Sequence, residues 1–340
     1  MKKVLLSVAT LVAISTNVIA KDTIVEAKVP LLKFSGKHYL GFVQSKSDIT
    51  GETTNGFETR RNYFQVKAYF NKDSKDYMRL TLDTKTKAGE TYVRLKYAYL
   101  YLDDILPYTG VEMGQVHRTW HDYEQKGSWN YRSIYKVFVE STAKLTNSAD
   151  RGINFKTKTE NFSSEIGVFN GEGYSGEQEG DSLSLEARLT YHTLGGGNKK
   201  SKSNNTYANI SLFGQQNSKS GKHEGEDLNW YGVHAVYNQP EFLFAAQYIQ
   251  TQDAALKYAG EGYSVNGEYR FMPKWNLLAR YDYYQLDKDD TEKTKMLAGV
   301  AHKYNKNVEF IANVATDEKE TNSVKSIDDT TFMLTAEVKW

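Results

Sequence analysis

The sequence predicts an all-β fold: a transmembrane antiparallel β-barrel of about sixteen strands. Three observations predict it. Segments of ten residues or more alternate apolar and polar side chains, tyrosine is abundant with 25 copies, and proline is scarce with 4. A period of two marks a strand whose faces meet two different solvents. Rings with a polar tip suit a boundary between water and an apolar phase. A chain made mostly of hydrogen-bonded strands has little room for proline.

From the N-terminus, Lys2 and Lys3 precede an uncharged apolar run, Val4 to Ile14, and a small residue at Ala20. This is the layout of a secretory signal peptide over residues 1–20, too short to span a bilayer comfortably. Residues 21–340 are expected to form the barrel domain. The chain has 43 Lys and Arg against 42 Asp and Glu, and 41 against 42 without Lys2 and Lys3. That balance gives no basic excess for nucleic acid. Cysteine is absent, which fits an exported protein.

Strands are expected near 31–43, 57–71, 75–86, 90–102, 109–117, 151–159, 162–170, 181–192, 206–216, 228–239, 241–252, 258–271, 275–287, 294–304, 307–317 and 330–340. In "YFQVKAYF", Phe64, Val66, Ala68 and Phe70 oppose Gln65, Lys67 and Tyr69. "YMRLTLDT" sets Met78, Leu80 and Leu82 against Arg79, Thr81 and Asp83. "SLSLEARLTYH" separates Leu183, Leu185, Ala187, Leu189 and Tyr191 from Ser184, Glu186, Arg188, Thr190 and His192. At the C-terminus Phe332, Leu334, Ala336, Val338 and Trp340 share one face, and closure with the first strand would leave no free edge. Sandwich strands average only about 5–6 residues, whereas barrels that face lipid use about 9–11.

Polar or glycine-rich runs punctuate the strands, among them "SKSDITGETTNG", "DKDDTEKT" and "DEKETNSVKSIDD". "GGGNKKSKSNN" (195–205) reads as an external loop. Stretch 118–150 has no clean alternation and is long for a connection; such connections usually carry function or are disordered. Tyr97, Tyr99, Tyr101, Tyr263, Tyr269, Tyr281 and Tyr283 are expected on outward faces as an interfacial girdle.

"ETRRNYFQVKAYF", "DYMRLTLD", "VRLKYAYLYLDDILPYTGVEMGQ", "DRGINFK", "IGVFNGEG", "LSLEARLTYH", "NLLARYDYY" and "LAGVAHKYNKNVEFIANVA" resemble, in that order, the phosphate-selective porin O and P family of Gram-negative outer membranes. The resemblance implies a sixteen-stranded barrel, a homotrimer, and diffusion of small solutes. In that family the third loop folds inward and narrows the pore; 118–150 follows the fifth strand, where that loop would be.

A pore discriminates by width and by the charges that line it. Alternation turns Lys67, Arg79, Arg94, Lys96, Lys156, Lys158, Arg188, Arg270 and Arg280 to the lumen. Arg60 and Arg61 straddle the start of a strand, so one of them should point in. Arg118, Arg132 and Lys136 fall in the inward loop. The selectivity candidates are therefore Arg60, Arg61, Lys67, Arg79, Arg94, Lys96, Arg132, Arg188 and Arg280, arginine suiting anions through its planar donors. Asp83, Glu186, Glu268 and Asp282 share these faces two residues from a base, so pairing should cancel part of the field.

Seven histidines are scattered, and "HRTWHD" (117–122) lacks both a third ligand and the glutamate of a zinc-protease helix. No nucleophile elbow appears. The expected function is a water-filled channel with no reaction and no cofactor. Its partners would be membrane lipid and lipopolysaccharide outside and small hydrophilic solutes or anions inside. The alternative is an adhesin or structural barrel that acts through long external loops.

Overall fold

The computed structural model describes residues 30–340 except 72, 74, 88, 177–182, 198–200, 219–225 and 256. The expected signal peptide lies outside the described residues. Sixteen strands follow one another in the chain: β1 Leu31–Ser47, β2 Thr53–Tyr69, β3 Tyr77–Lys87, β4 Glu90–Leu106, β5 Thr109–His117, β6 Ala149–Lys158, β7 Phe162–Phe169 and β8 Ser184–Leu194, then β9 Tyr207–Asn217, β10 Leu228–Gln239, β11 Phe242–Ala254, β12 Gly260–Met272, β13 Trp275–Leu286, β14 Thr291–Lys303, β15 Val308–Thr321 and β16 Val324–Lys339. Two short helices, α1 His121–Gly127 and α2 Phe138–Ser141, lie between β5 and β6. Each strand pairs antiparallel with its neighbours in sequence, and β16 closes on β1. All sixteen segments read from the sequence are strands.

Closure is made by main-chain bonds in both directions. Gly36 donates to the Trp340 carbonyl at 2.9 Å and Trp340 donates to Gly36 at 3.2 Å. A Cβ on Gly36 would sit 2.4 Å from the Trp340 indole, so a side chain here requires the ring to move.

An even strand number places both barrel ends at one rim. Three two-residue turns at that rim begin with proline, at Pro107, Pro240 and Pro273. Proline presets the first turn dihedral, and Tyr108 and Lys274 follow with φ of 61° and 71°. At the opposite rim three of the polar runs read as loops, 45–56, 287–294 and 317–329, are at least half strand. β15 and β16 continue to a turn at Asn322 and Ser323, with φ of 49° and 63°, the left-handed pair that matches strand twist. The run 287–294 likewise enters β14 at Thr291. Charge alone does not end a strand once both faces meet water.

The connection between β8 and β9 corrects a second expectation. It opens at the rim that carries Trp340, opposite the connection between β5 and β6. Sequence composition made 195–205 an external loop; strand parity puts the ends of this connection at the rim of the short proline turns.

The exterior is apolar. Phe64, Met78, Leu80, Leu185, Leu189, Ile210, Leu212, Leu277, Val314 and Leu334 are exposed outward, while Thr81, Asp83, Ser211 and Thr335 beside them are buried inward. The hydrophobic core is inside the barrel, where the segment 118–148 folds in. Trp120, Val137, Phe138, Val139 and Leu145 pack on Phe213, Trp230, Ile249 and Tyr284 of β9–β13. Trp129, Tyr131 and Ile134 pack on Leu278, Leu297, Ile311 and Met333 of β13–β16. The Trp120 and Phe213 rings stack at 3.7 Å.

Candidate functional site: the lumen wall of β1–β4 and the inward loop

The inward loop is tied to the wall by polar bonds as well as by its apolar side chains. Thr142 donates to Asp282 at 2.7 Å, Arg280 to the Lys136 carbonyl at 2.9 Å, Gln247 to Glu124 at 2.7 Å and Asn266 to the Ser128 carbonyl at 2.9 Å. Its buried apolar residues face β9–β16. Its other side reaches the β1–β4 wall, where Arg60 of β2 donates to the Ser133 carbonyl at 3.0 Å.

Both members of the Arg60–Arg61 pair point in. Tyr39 pairs with Arg61 and Leu40 with Thr59, leaving Arg60 as the extra residue of a β-bulge. Arg60 donates to the Ser133 carbonyl at 3.0 Å and to Thr335; Arg61 reaches Asp83 at 2.8 Å. Strict alternation admits only one of them, and the bulge is what adds the second.

A second bulge corrects the tyrosine reading. Thr81 pairs with Tyr97 and Leu82 with Leu95, so Lys96 is the extra residue. Beyond it the phase of β4 is reversed. Tyr97 and Tyr99 are buried inside and Tyr101 joins them at the edge of the same cluster, rather than forming an outer girdle. Tyr263 and Tyr269, on a strand with no such bulge before them, do face outward.

The cations of the lumen fall into two groups. In the first, a carboxylate is the partner. Arg61 and Arg94 share Asp83, each at 2.8 Å. Arg118 pairs with Glu186, Arg132 with Glu140 at 2.6 Å, Arg270 with Glu268 at 2.7 Å and Arg280 with Asp282 at 2.8 Å. Lys156 bridges Glu112 and Glu165, and Arg188 also reaches Glu165 at 3.4 Å. Lys136 pairs with Glu140 at 3.1 Å. Two of the four pairings expected along one strand therefore form, at Arg270 and Arg280. Asp83 and Glu186 take partners from neighbouring strands or the loop instead. Burial pushes the Glu140 carboxyl up, but Arg132 and Lys136 prevail and hold it well below the usual carboxylate range.

In the second group the partner is a tyrosine ring. Lys33 lies 4.7 Å from the centroid of Tyr69, Lys67 4.0 Å from Tyr77, and the Arg79 guanidinium 4.5 Å from Tyr97. Lys96 sits 5.0 Å from Tyr63 and 5.7 Å from Tyr174. Arg79 also bonds the Tyr99 hydroxyl and the His117 ring, both at 3.1 Å. Among the described residues, no carboxylate oxygen lies within 4.0 Å of Lys33, Lys67, Arg79 or Lys96. Lys33, Lys67 and Arg79 are direct cross-strand neighbours on β1, β2 and β3. Lys33 and the tyrosines were missed from the sequence; alternation around Leu32 and Phe34 would have found Lys33. Lys158 ends β6, its amide bonded to the Tyr108 carbonyl.

The histidines serve local contacts. His117 approaches Glu112 at 3.4 Å and Arg79, His192 binds Ser163 and Asn209, and His234 meets Ser128 of the loop. Among the described residues, no group of three His, Cys, Asp or Glu is placed to hold a metal.

Solved structures with the same architecture are outer-membrane proteins. An anion-selective porin from Comamonas acidovorans superposes with a TM-score of 0.63 at 12% identity, over 91% of this chain and 99% of that one. OmpT of Vibrio cholerae, an outer membrane protein in its trimer form, gives 0.63 at 14%, over 92% and 100%. A Rhodopseudomonas blastica porin, a triple mutant, gives 0.62 at 11%, over 91% and 100%. At these identities the likeness is one of fold. No family model matches the sequence, and no curated relative does.

Proposed function

We propose that this chain is an outer-membrane porin: a water-filled channel that passes ions and small hydrophilic solutes down their gradients, with anions preferred. Residues 1–20 would be the cleaved signal peptide and residues 118–150 the constriction. The observation that carries the anion preference is the set of cations on β1–β4 without carboxylate partners. A carboxylate cancels the field of the cation it pairs with. A tyrosine face holds a cation through its quadrupole and leaves the charge in place. Lys33, Lys67 and Arg79 therefore give one wall a positive field in a chain whose overall charge is near zero, and unpaired Arg and Lys rings are what make an anion pore. The resemblance to the phosphate-selective porins adds phosphate to the anions to be tried.

A trimeric assembly is supported by the outer face of β1–β3. Trp340 donates to His38 at 3.1 Å, His38 meets Asn62 at 2.9 Å and Asn62 donates to Thr84 at 3.1 Å. This polar strip crosses a surface that elsewhere presents Phe64, Leu80 and Leu334. Polar groups gain little from lipid but can be covered by another copy of the chain.

The test is the reversal potential of the purified protein in a planar bilayer under a potassium chloride gradient. Stepwise conductance with chloride preferred is the expected result. Stepwise conductance with potassium preferred would keep the channel and remove the anion reading. Folded protein without conductance would favour the adhesive or structural barrel.

A further inference from the structure

We infer that the lumen wall of β1–β4 favours organic anions with a planar apolar body, aromatic carboxylates as a class, over small anions of equal charge. The inference rests on the anion-preferring reading and adds what the tyrosines do.

Two adjacent cross-strand rows carry it. Tyr69, Tyr77 and Tyr101 are in register on β2, β3 and β4. Their rings follow one another at 5.3 and 5.0 Å, the second pair stacked, and all three are half-buried, so part of each ring meets the lumen. The next row inward, about 7 Å away by the two-residue spacing of a strand, holds Lys33, Lys67 and Arg79 in register. Like charges directly opposite on a sheet are unfavourable, and each of these three is held by a tyrosine ring in place of a carboxylate.

Inorganic anions would use the cations and gain nothing from the rings, whose faces carry negative potential. An aromatic carboxylate uses both rows. Its carboxylate meets Lys67 or Arg79, and its ring face meets the lumen-exposed edges of the tyrosines, the edge-to-face arrangement aromatic pairs favour. Tyr101 ends the ring row: among the described residues no cation lies over it, its ring rests against Gly110 of β5, and its hydroxyl is fixed by a 2.8 Å bond to Asp103.

The experiment uses the purified protein in planar bilayers, with benzoate, cyclohexanecarboxylate, acetate and phosphate each set against chloride. Benzoate permeating about threefold better than acetate, against their order of mobility in free water, is the expected result, from the size of one aromatic contact. Cyclohexanecarboxylate, equal in charge and similar in bulk, should fall below benzoate. Tyr69→Ser with Tyr101→Ser should return the benzoate-to-acetate ratio to its free-solution value, and Tyr69→Phe with Tyr101→Phe should keep it. A channel that prefers chloride over potassium but passes benzoate no better than acetate, or passes phosphate best, overturns the inference and leaves the anion reading standing. No preference for chloride over potassium overturns both.

Discussion

Arg79 and Arg188 are both arginines on the lumen wall, yet their neighbourhoods differ. Arg79 rests on Tyr97 and bonds Tyr99 and His117. Arg188 shares Glu165 with Lys156 and also lies 4.3 Å from Tyr123. The field at the pore depends on net local charge, so these two should respond differently to neutralisation. Arg79→Gln is expected to lower the chloride-to-potassium permeability ratio by at least about twofold, since unpaired charges set pore preference. Joint replacement Arg188→Gln with Glu165→Gln removes one charge of each sign and should leave the ratio nearly unchanged. Reversal potentials of the two variants decide this; equal shifts would mean that pairing does not screen the wall. Equal treatment of all lumen arginines was the natural reading of alternation, because alternation reports which side a residue faces and nothing about what sits across the gap.

The inward loop and the closing strand pair can be tested as elements. Trp120 is buried, stacked on Phe213, and donates to Glu124 at 2.7 Å. Removing such a ring from a packed interior costs about 3–5 kcal/mol. Trp120→Ala should therefore free the loop, raising single-channel conductance and its noise while the barrel stays closed. An unchanged current trace would mean the loop is held by its polar ties alone. At the seam, Gly36→Val puts side-chain atoms into the Trp340 ring. Its folded, heat-modifiable band in a native-type gel should be reduced relative to the parent protein, with unfolded chain accumulating; an undiminished band would show that the indole can swing away. Segment 118–148, whose inward position was what the family resemblance implied, was legible as an exceptional connection because it broke the period of two. The wall it leans on was not, since Phe213, Leu297 and Met333 are apolar residues on a face that alternation assigns to water. They become core only because the loop covers them.

The whole molecule presents two unlike outer sides. β8–β15 turn Leu189, Ile210, Tyr263 and Phe310 outward, a surface suited to lipid and its interfaces. β1–β3 carry the hydrogen-bonded strip from Trp340 to Thr84. Asn62→Arg should convert the proposed trimer to monomers in mild detergent, read by cross-linking and by mass in solution, because a buried unpaired charge opposes association. A trimer unaffected by this change would place the interface on another face.

The sequence by itself determined the strand number, the side each regular strand turns to lipid, and the break at 118–150. Those features are local: a period of two is written in neighbouring residues, and Phe332, Leu334 and Trp340 face outward whatever lies beyond them. Only the tertiary structure decided the rest. Single-residue bulges at Arg60 and Lys96 reverse the phase of a strand without leaving a mark in composition. Strand parity set the rim of the β8–β9 connection. Cross-strand register chose Asp83 as the partner of Arg61 and Arg94, and tyrosine rings as the partners of Lys67 and Arg79. The physical reason is that these charge and ring partners lie one strand away in space and about ten to twenty-two residues away in sequence, so pairing is fixed by register and not by spacing along the chain.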